Sequence, residues 1–286
     1  MELTNKGEIK ELLKKYNARP EKYLGQHFLL SKTALRKTIE AAEIKPNDLI
    51  IEIGPGLGTL TLELAKTNAK VIAVEKDRLM NEILKEVLAG FKNVKIIQAD
   101  VRQLLILRIN SFGEKMGITI GKSGYKIVAN LPYNIATFLI RSFLESDNPP
   151  KMMVLMIQKE VAWRIVAKPP HSSILAISVQ FYADAKIIGY VTKESFYPRP
   201  KVDAAIIKIV PRENPYSVSR KEFFKTLKAG FSSPRKQLIG NFSKRLNLSR
   251  EKLVEIFQNL NILSTARAEN ISLDDWQKLV YKLIHN

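Results

Sequence analysis

The residues with the clearest chemical potential are Asn130-Leu131-Pro132-Tyr133, which directly follow the apolar run 126–129. If that run is a strand of a parallel sheet, they lie at its carboxyl end, where open α/β sheets bind ligands. An amide oxygen and a backbone carbonyl there can accept hydrogen bonds from an adenine N6 amine and free its lone pair for attack. Pro132 rigidifies the turn, and Tyr133 offers a flat face to an extruded base. The pattern predicts chemistry on adenine; the alternative is a simple turn with a packed tyrosine.

A second candidate site is the glycine-rich segment Glu52-Ile53-Gly54-Pro55-Gly56-Leu57-Gly58, where an apolar run turns into a helical pattern. Glycines at such a turn let the backbone approach a ligand closely. Glu75 ends the next apolar run, where it suits ribose hydroxyls, and Asp100 ends the third, where it suits an adenine amine. The combination predicts an S-adenosylmethionine site. The G-x-G-x-G spacing disfavours a dehydrogenase, and an ordinary tight turn with solvated acidic residues is the structural alternative.

Short apolar runs separated by helical segments must position these residues. They lie at residues 49–53, 71–74, 94–98, 126–129 and 152–157. This alternation predicts βαβ units and a parallel sheet. Runs 187–192 and 204–210 leave no room for a crossover helix, so we expect an antiparallel pair at the sheet edge. Residues 103–125 suggest a surface loop, and the chain beyond Pro211 suggests helices with Ser219 and Ser249 as N-caps.

Composition excludes several classes of site. The 286 residues include no cysteine and three histidines, so disulfides, zinc–thiolate sites and cysteine nucleophiles are excluded and no metal is expected. No apolar run approaches the roughly 18 residues of a membrane span, and no secretory signal is visible, so we expect a cytoplasmic protein. The net charge is +18, and basic residues outnumber acidic ones 11 to 3 over residues 212–252. This favours a polyanionic partner, with a solvated helical face as the alternative.

Beyond these two sites, further segments carry a family resemblance. They are Gly25-Gln26-His27-Phe28-Leu29, Glu75-Lys76-Asp77, Gln158-Lys159-Glu160-Val161 and Phe196-Tyr197-Pro198-Arg199-Pro200-Lys201-Val202-Asp203. Together with the glycine loop and the Asn130 motif, they make the chain similar to the ribosomal small-subunit adenine dimethyltransferases, the kasugamycin-sensitivity methyltransferase family. The resemblance implies dimethylation at N6 of two neighbouring adenosines in a hairpin near the rRNA 3′ end, with S-adenosylmethionine as cofactor.

The resemblance also assigns residues. It implies a cofactor site of His27, Leu29, Gly54, Gly56, Gly58, Glu75, Asp100 and Asn130, and a catalytic site of Asn130, Leu131, Pro132, Tyr133 and Phe196. Many members have asparagine in place of His27, and both side chains can hydrogen-bond near the methionine part of the cofactor. Phe196 falls where the family places a second aromatic ring against the target base; a packed edge-strand residue is the alternative.

The expected architecture is α/β: a Rossmann-like class I S-adenosylmethionine-dependent methyltransferase with a mostly parallel seven-stranded sheet, an antiparallel edge hairpin and a small all-α C-terminal domain. We predict a helical extension over 1–24, a catalytic domain over 25–212 and an RNA-contacting helical domain over 213–286. The expected partners are small-subunit rRNA and the small ribosomal subunit particle, with no membrane, and the expected state is a monomer. The rival functions are a large-subunit rRNA methyltransferase of the macrolide-resistance type and a non-catalytic ribosome-assembly factor.

Overall fold

The computed structural model describes residues 2–21, 24–106, 124–212 and 218–285. Two compact units divide the chain. The first comprises Met1–Ala162 and Ala185–Pro211, and the second comprises Trp163–Asp184 and Arg212–Asn286. The larger piece of the second unit begins at Arg212, and the unit also includes a segment from the middle of the chain. The division at residues 212 and 213 into a catalytic and an RNA-contacting domain stays a prediction.

The first unit is built on a seven-stranded sheet and a two-stranded ladder. Its strands are β1 (Phe28–Leu29), β2 (Leu49–Ile53), β3 (Lys70–Glu75), β4 (Val94–Gln98), β5 (Lys126–Asn130), β6 (Met152–Gln158), β7 (Ala183–Val191, which begins in the second unit), β8 (Phe196–Tyr197) and β9 (Ala204–Pro211). The large sheet has the order β4-β3-β2-β5-β6-β9-β7, and β1 pairs with β8. The predicted seven-stranded sheet is confirmed.

Five neighbouring strands, β4, β3, β2, β5 and β6, run parallel. Their carboxyl ends therefore share one edge, and the register places Glu75 beside Gln98 and Asn130 beside Met156 there. Strand β9 runs antiparallel to β6, with Gln158 opposite Ala204, and β7 lies outside it at the sheet edge. Because parallel strands need covering on both faces, their residues are almost all apolar.

Helices cover the sheet of the first unit. They are α1 (Lys6–Lys15), α2 (Lys32–Ala42), α3 (Thr59–Ala65), α4 (Arg78–Val87), α5 (Val101–Ile106), α6 (Ala136–Leu144) and the start of α7 (Lys159–Val166). The predicted N-terminal helix, α1, buries Ile9 and Leu12 in one apolar cluster with Phe28 and Leu57, so it is packed onto the unit that carries the glycine loop. Asp77 caps α4 by accepting hydrogen bonds from the backbone of Leu79 and Met80.

Part of the segment 103–125, expected to be a surface loop, is helical. Residues 103–106 continue α5, because the Asp100 carboxylate accepts the backbone N–H of Arg102 at 3.0 Å, as an N-cap does. Residues 107–123 lie outside the described part of the chain.

The second unit is helical, as predicted for the C-terminal segment. It contains the end of α7, then α8 (Ile174–Tyr182), α9 (Arg220–Gly230), α10 (Leu238–Leu246), α11 (Arg250–Asn259) and α12 (Leu273–His285). Ser219 and Ser249 cap α9 and α11, as the sequence predicts. Helix α8 belongs to this unit because Phe181 stacks on Phe223 with ring centroids 4.1 Å apart, within one buried cluster. Among the described residues, the helices are too short or too polar to cross a membrane.

Candidate active site

A cavity of about 260 Å³ opens at the carboxyl ends of the parallel strands. Its walls come from five stretches of the first unit: residues 24–29, 52–56, 74–76, 99–102 and 129–135. Most of the predicted site residues line it: His27, Leu29, Gly54, Gly56, Glu75, Asp100, Asn130, Leu131, Pro132 and Tyr133. Gly58 and Phe196 are not among its lining residues.

The glycine loop follows β2 and needs its glycines for backbone reasons. Gly54 and Gly56 have φ of +66° and +58°, a region that L side chains rarely adopt. A Cβ on Gly56 would also lie 3.1 Å from the Phe28 ring. Gly58, with φ of +90°, is the N-cap of α3, and a Cβ there would lie 2.9 Å from Leu84. Gly58 therefore shapes the turn and its packing, whereas Gly54 and Gly56 form the cavity wall.

Glu75 ends β3, and only 7% of the residue is exposed. Its two carboxylate oxygens accept hydrogen bonds from the backbone of Gly56, at 3.1 Å, and of Asp77, at 2.8 Å. Burial raises its pKa, and these two hydrogen bonds oppose the rise. Each carboxylate oxygen has a second lone pair, so Glu75 can still accept from hydroxyl groups in the cavity while it holds the glycine loop in place.

Asp100 follows β4 and lies between two cations that the sequence analysis did not single out. Arg102 donates to it at 2.7 Å and 3.1 Å, and Lys76 lies 3.1 Å away. The Arg102 guanidinium holds the pKa of this carboxyl well below its usual range. Asp100 is therefore ionised at neutral pH. Its oxygens are contacted by the backbone and guanidinium of Arg102 and by Lys76, so a ligand amine binds it by displacing one of these donors.

Asn130 ends β5, and its side-chain amide donates to the backbone carbonyl of His27 at 3.1 Å. This contact fixes which way the amide faces, because its nitrogen points at His27 and its oxygen points away. Within the described residues, that oxygen accepts no hydrogen bond. Next in sequence, the backbone N–H of Leu131 donates to Met156 at 3.1 Å, which extends the β5–β6 ladder by one residue. The Asn130 motif is thus held by His27 and by Met156 of β6, while the Asn130 side-chain oxygen accepts no hydrogen bond from the described residues.

His27 itself is held by a later part of the chain. Its Nδ1 lies 2.7 Å from the carbonyl of Pro198, and a carbonyl can only accept, so Nδ1 carries the hydrogen. Nε2 of a neutral His27 is then left as an acceptor. The predicted polar role near the cofactor therefore falls on Nε2 or on the ring edge.

Pro132 of the Asn130 motif lies close to the two glycine turns at Gly25 and Gly54. A Cβ on Gly25 would lie 3.2 Å from Pro132, and one on Gly54 would lie 3.4 Å from it. Both glycines have positive φ, +68° and +66°. The two turns can approach the proline ring this closely because they lack side chains, so the cofactor loop and the Asn130 motif are in van der Waals contact.

Tyr133 follows at the cavity wall, with its ring centroid 6.0 Å from that of His27. Its hydroxyl is buried and has no hydrogen-bond partner among the described residues. Burial, together with the nearby Asp203 carboxylate, raises its pKa to about 12. The ring can therefore serve as a flat surface, and the hydroxyl stays protonated at neutral pH.

Phe196 is placed differently from the other predicted catalytic residues. It lies in β8 opposite Leu29, is 3% exposed and packs in the core cluster that includes Leu29 and Met156. In this arrangement it packs beside Leu29 in the core and is not among the residues that line the cavity. Contact between Phe196 and a target base stays a prediction.

Glu52 is the main residue of the cavity that the sequence analysis did not assign. It lies within β2, is 1% exposed, and its Oε2 has no hydrogen-bond partner among the described residues. Burial raises its pKa to about 8; the Thr61 hydroxyl opposes the rise and the Glu75 carboxylate adds to it. The available signal was a lone acidic residue inside an otherwise apolar strand, directly before the glycine loop.

The described residues contain no cluster of acidic and histidine side chains able to hold a metal ion. The arrangement instead provides a glycine cradle, three acidic side chains and a pair of oriented acceptors at one end of the sheet. Such a site can hold a nucleoside with an amino-acid appendage beside a planar base, which fits S-adenosylmethionine and adenine.

Comparison with known proteins gives the same result independently. The family model described as ribosomal RNA adenine dimethylase matches residues 17–285. The "Ribosomal RNA small subunit methyltransferase A" of Dehalococcoides mccartyi is 39% identical over 281 residues, covering 98% of this chain and 94% of that protein. The protein of the same name from Clostridioides difficile is 36% identical and covers 97% and 95%.

Solved structures support the fold. A dimethyladenosine transferase from Plasmodium falciparum superimposes with a TM-score of 0.73 at 27% identity, over 90% of this chain and 97% of that one. The 23S rRNA methyltransferase ErmE superimposes with a TM-score of 0.71 at 21% identity, over 90% and 99%. The class I methyltransferase fold and the family resemblance are thereby confirmed. The chain belongs to the ribosomal RNA adenine dimethylase family and is an rRNA adenine dimethyltransferase.

Proposed function

We propose that this enzyme dimethylates N6 of two adjacent adenosines in the hairpin near the 3′ end of small-subunit rRNA, acting on the small ribosomal subunit during its biogenesis. The observation that carries the chemistry is the orientation of the Asn130 amide, whose nitrogen is committed to His27. Support for the small-subunit substrate comes from the curated relatives, which are named for that subunit.

The proposed cofactor is S-adenosylmethionine, which when bound supplies an electrophilic methyl group on a sulfonium. The cavity fits it in three respects. Gly56 leaves room that a side chain would fill, Glu75 offers acceptors for ribose hydroxyls, and Asp100 offers an ionised acceptor for the adenine amine.

The target adenine is activated by acceptors. We assign the Asn130 side-chain oxygen and the Leu131 carbonyl to the two N6–H groups, which draws the nitrogen toward tetrahedral geometry and localises its lone pair. With S-adenosylmethionine bound, this lone pair would be the acceptor for the methyl group that the cofactor supplies. The methylated nitrogen becomes acidic and loses one proton to solvent, so no carboxylate base is needed. Tyr133 supplies the surface on which the extruded base stacks.

RNA binding is assigned in part to the second unit, the proposed RNA-contacting domain. Its exposed basic side chains include Lys221, Lys225, Lys228, Arg235, Lys236, Lys244, Arg245 and Arg250. Basic side chains that neutralise phosphates release condensed counterions, so this surface favours a polyanion over a neutral partner. We propose that the enzyme acts as a monomer in the cytoplasm.

The test is methyl transfer from labelled S-adenosylmethionine to small subunits lacking the modification, followed by nucleoside mass spectrometry. Dimethyladenosine at two adjacent positions of the 3′ hairpin is the expected result. Transfer only to protein-free large-subunit rRNA would assign the enzyme to the macrolide-resistance type instead. Binding to immature small subunits without any transfer would indicate an assembly factor and contradict the proposed reaction.

A further inference from the structure

Two buried carboxylates face one cavity from neighbouring strands. Glu52 lies in β2 and Glu75 at the end of β3, and the exposed fractions of the two residues are 1% and 7%. Both line the cavity at the carboxyl ends of the strands. Two ionised carboxylates buried so close together repel each other and lose their hydration, so such a pair tends to retain a proton in the absence of a cation.

The two carboxylates differ in how they are solvated by the protein. Glu75 accepts two backbone hydrogen bonds, from Gly56 and Asp77, which favour its charged form. Glu52 has an oxygen without any partner among the described residues, so its charged form is poorly stabilised. The proton of the pair therefore belongs mainly on Glu52.

Among the residues that the structure describes, no cation lies close enough to Glu52 to neutralise it. Strand β3 brings Glu75, which is acidic, and α3 brings the neutral hydroxyl of Thr61. On the other side of β2, β5 contributes Asn130 to the cavity, and α2 contributes Thr38. The cations at the cavity, Lys76 and Arg102, form ion pairs with Asp100.

We propose that Glu52 carries a proton in the ligand-free enzyme and releases it when the α-ammonium group of the cofactor binds, so that cofactor binding is coupled to the release of one proton. This inference rests on the proposed cofactor. The Glu52 O–H bond breaks and its proton goes to solvent, while the ammonium group keeps its own protons and donates one N–H to the carboxylate formed. Glu52 is thus a charge-compensating residue of the cofactor site.

The ammonium group, and not the sulfonium, is the partner that suits Glu52. Glu52 lines the cavity, and its carboxylate can only accept hydrogen bonds; a sulfonium has no N–H to donate, whereas an ammonium has three. The demethylated product S-adenosylhomocysteine keeps the ammonium and lacks the sulfonium. Both molecules are therefore expected to release the proton.

The pKa of Glu52, which burial raises to about 8, sets the size and pH range of the effect. At pH 7 the side chain is then about nine-tenths protonated in the empty site, so nearly one proton leaves per cofactor bound. The same linkage makes the association constant rise about tenfold per pH unit between pH 6 and 7. The Asp100 carboxylate gives no proton release of this size, because it is ion-paired with Arg102 and Lys76. Any release from Glu75 would persist in Glu52→Gln, so that variant separates the two residues.

The test is isothermal titration calorimetry of the full chain with S-adenosylmethionine and with S-adenosylhomocysteine, at pH 6 and 7. Each titration is repeated in phosphate, HEPES and Tris buffers, whose different ionisation enthalpies report the number of protons released. The wild type is compared with Glu52→Gln, which keeps the shape but cannot ionise, and with Glu63→Gln, a matched carboxylate on α3 outside the cavity. We expect close to one proton for the wild type and Glu63→Gln, and none for Glu52→Gln.

The outcomes separate this inference from the proposed cofactor. If the wild type binds both molecules with no proton release, or if Glu52→Gln still releases a proton, the assignment to Glu52 is wrong although the cofactor is right. Release with S-adenosylmethionine alone would place the sulfonium, not the ammonium, at Glu52 and overturn the proposal as stated. If neither molecule binds the folded wild type, the proposed cofactor itself fails.

Discussion

The side-chain amide of Asn130 and the backbone carbonyl of His27 are joined by a hydrogen bond of 3.1 Å between residues 103 positions apart in the chain. Through this contact the segment before β1 determines the orientation of the amide at the end of β5. The oxygen that faces the proposed substrate is therefore set by the part of the chain that also borders the cofactor cavity. The donor to His27 and the acceptor for the substrate belong to one rigid, planar group.

Replacement of Asn130 by alanine is expected to remove an acceptor that is used only when the amine is activated. Turnover should fall by about a hundredfold or more, in line with the loss of one preorganised polar group from an active site. The dissociation constant for S-adenosylmethionine should change far less. Single-turnover methyl transfer and calorimetry measure the two quantities, and Thr137→Ala, exposed on α6, is the control that should match the wild type. Wild-type turnover of Asn130→Ala would contradict the acceptor role.

Removal of the Tyr133 hydroxyl is expected to be harmless, because this buried group has no hydrogen-bond partner among the described residues. Tyr133→Phe should keep methyl transfer within about threefold of the wild type and should not lower the stability. Tyr133→Ala should weaken RNA binding by about 1–3 kcal/mol through the loss of a stacking surface. Filter binding and steady-state kinetics with small subunits measure both. A large loss of activity in Tyr133→Phe would show that the hydroxyl has a role that the geometry does not suggest.

The glycine loop offers a prediction with an internal control. Gly56→Ala combines φ of +58° with a Cβ placed 3.1 Å from Phe28, so it should destabilise the protein by about 1–3 kcal/mol and weaken cofactor binding. Gly90→Ala has no atom within 4 Å of its new Cβ and no positive φ, so it should be close to neutral. Urea unfolding and cofactor titration compare the two. Equal effects of both substitutions would argue against a steric role of Gly56.

The buried Glu52 makes the stability of the ligand-free protein depend on pH. Its pKa is about 8 in the folded protein against an ordinary value of 4.5, so the folded state binds a proton that the unfolded chain releases. The free energy of unfolding should therefore fall as the pH rises from about 5 to 8. The fall should be smaller in Glu52→Gln, whereas Glu63→Gln should follow the wild type. Parallel curves for all three proteins would mean that Glu52 ionises normally.

Most of the fold could be predicted because its signals are local. Apolar runs of four to six residues become parallel strands of five to seven residues, and the serines at 219 and 249 cap their helices as expected. The strand predicted over 187–192 begins earlier, at Ala183, since the backbone of β7 leaves α8 without an intervening turn. The segment Trp163–Asp184 belongs to the second unit, because Phe181 packs against aromatic residues more than forty positions away in the chain. The sequence alone does not indicate this packing.

The site could be predicted where function depends on residue type and position at a strand end, as for Glu75, Asp100 and Asn130. It could not be predicted where it depends on partners distant in sequence. The ion pairs of Asp100 with Lys76 and Arg102, and the contact of His27 with Pro198, appear only when the chain is folded. The burial of Phe196 beside Leu29 also depends on distant partners. The position of Phe196 in the family's motif does not tell which way a ring on a short strand faces.

The ladder between β1 and β8 has a consequence for how the enzyme is made. Phe28 pairs with Tyr197 and Leu29 with Phe196, and the carbonyl of Pro198 accepts a hydrogen bond from His27. The N-terminal part of the cavity wall is therefore held in place by residues that are synthesised near the end of the first unit. A nascent chain released after β6 would contain the glycine loop, Glu75, Asp100 and Asn130, yet its N-terminal segment would lack this anchor. The enzyme thus gains a complete cavity late in its own translation, once residues 196–198 have left the ribosome.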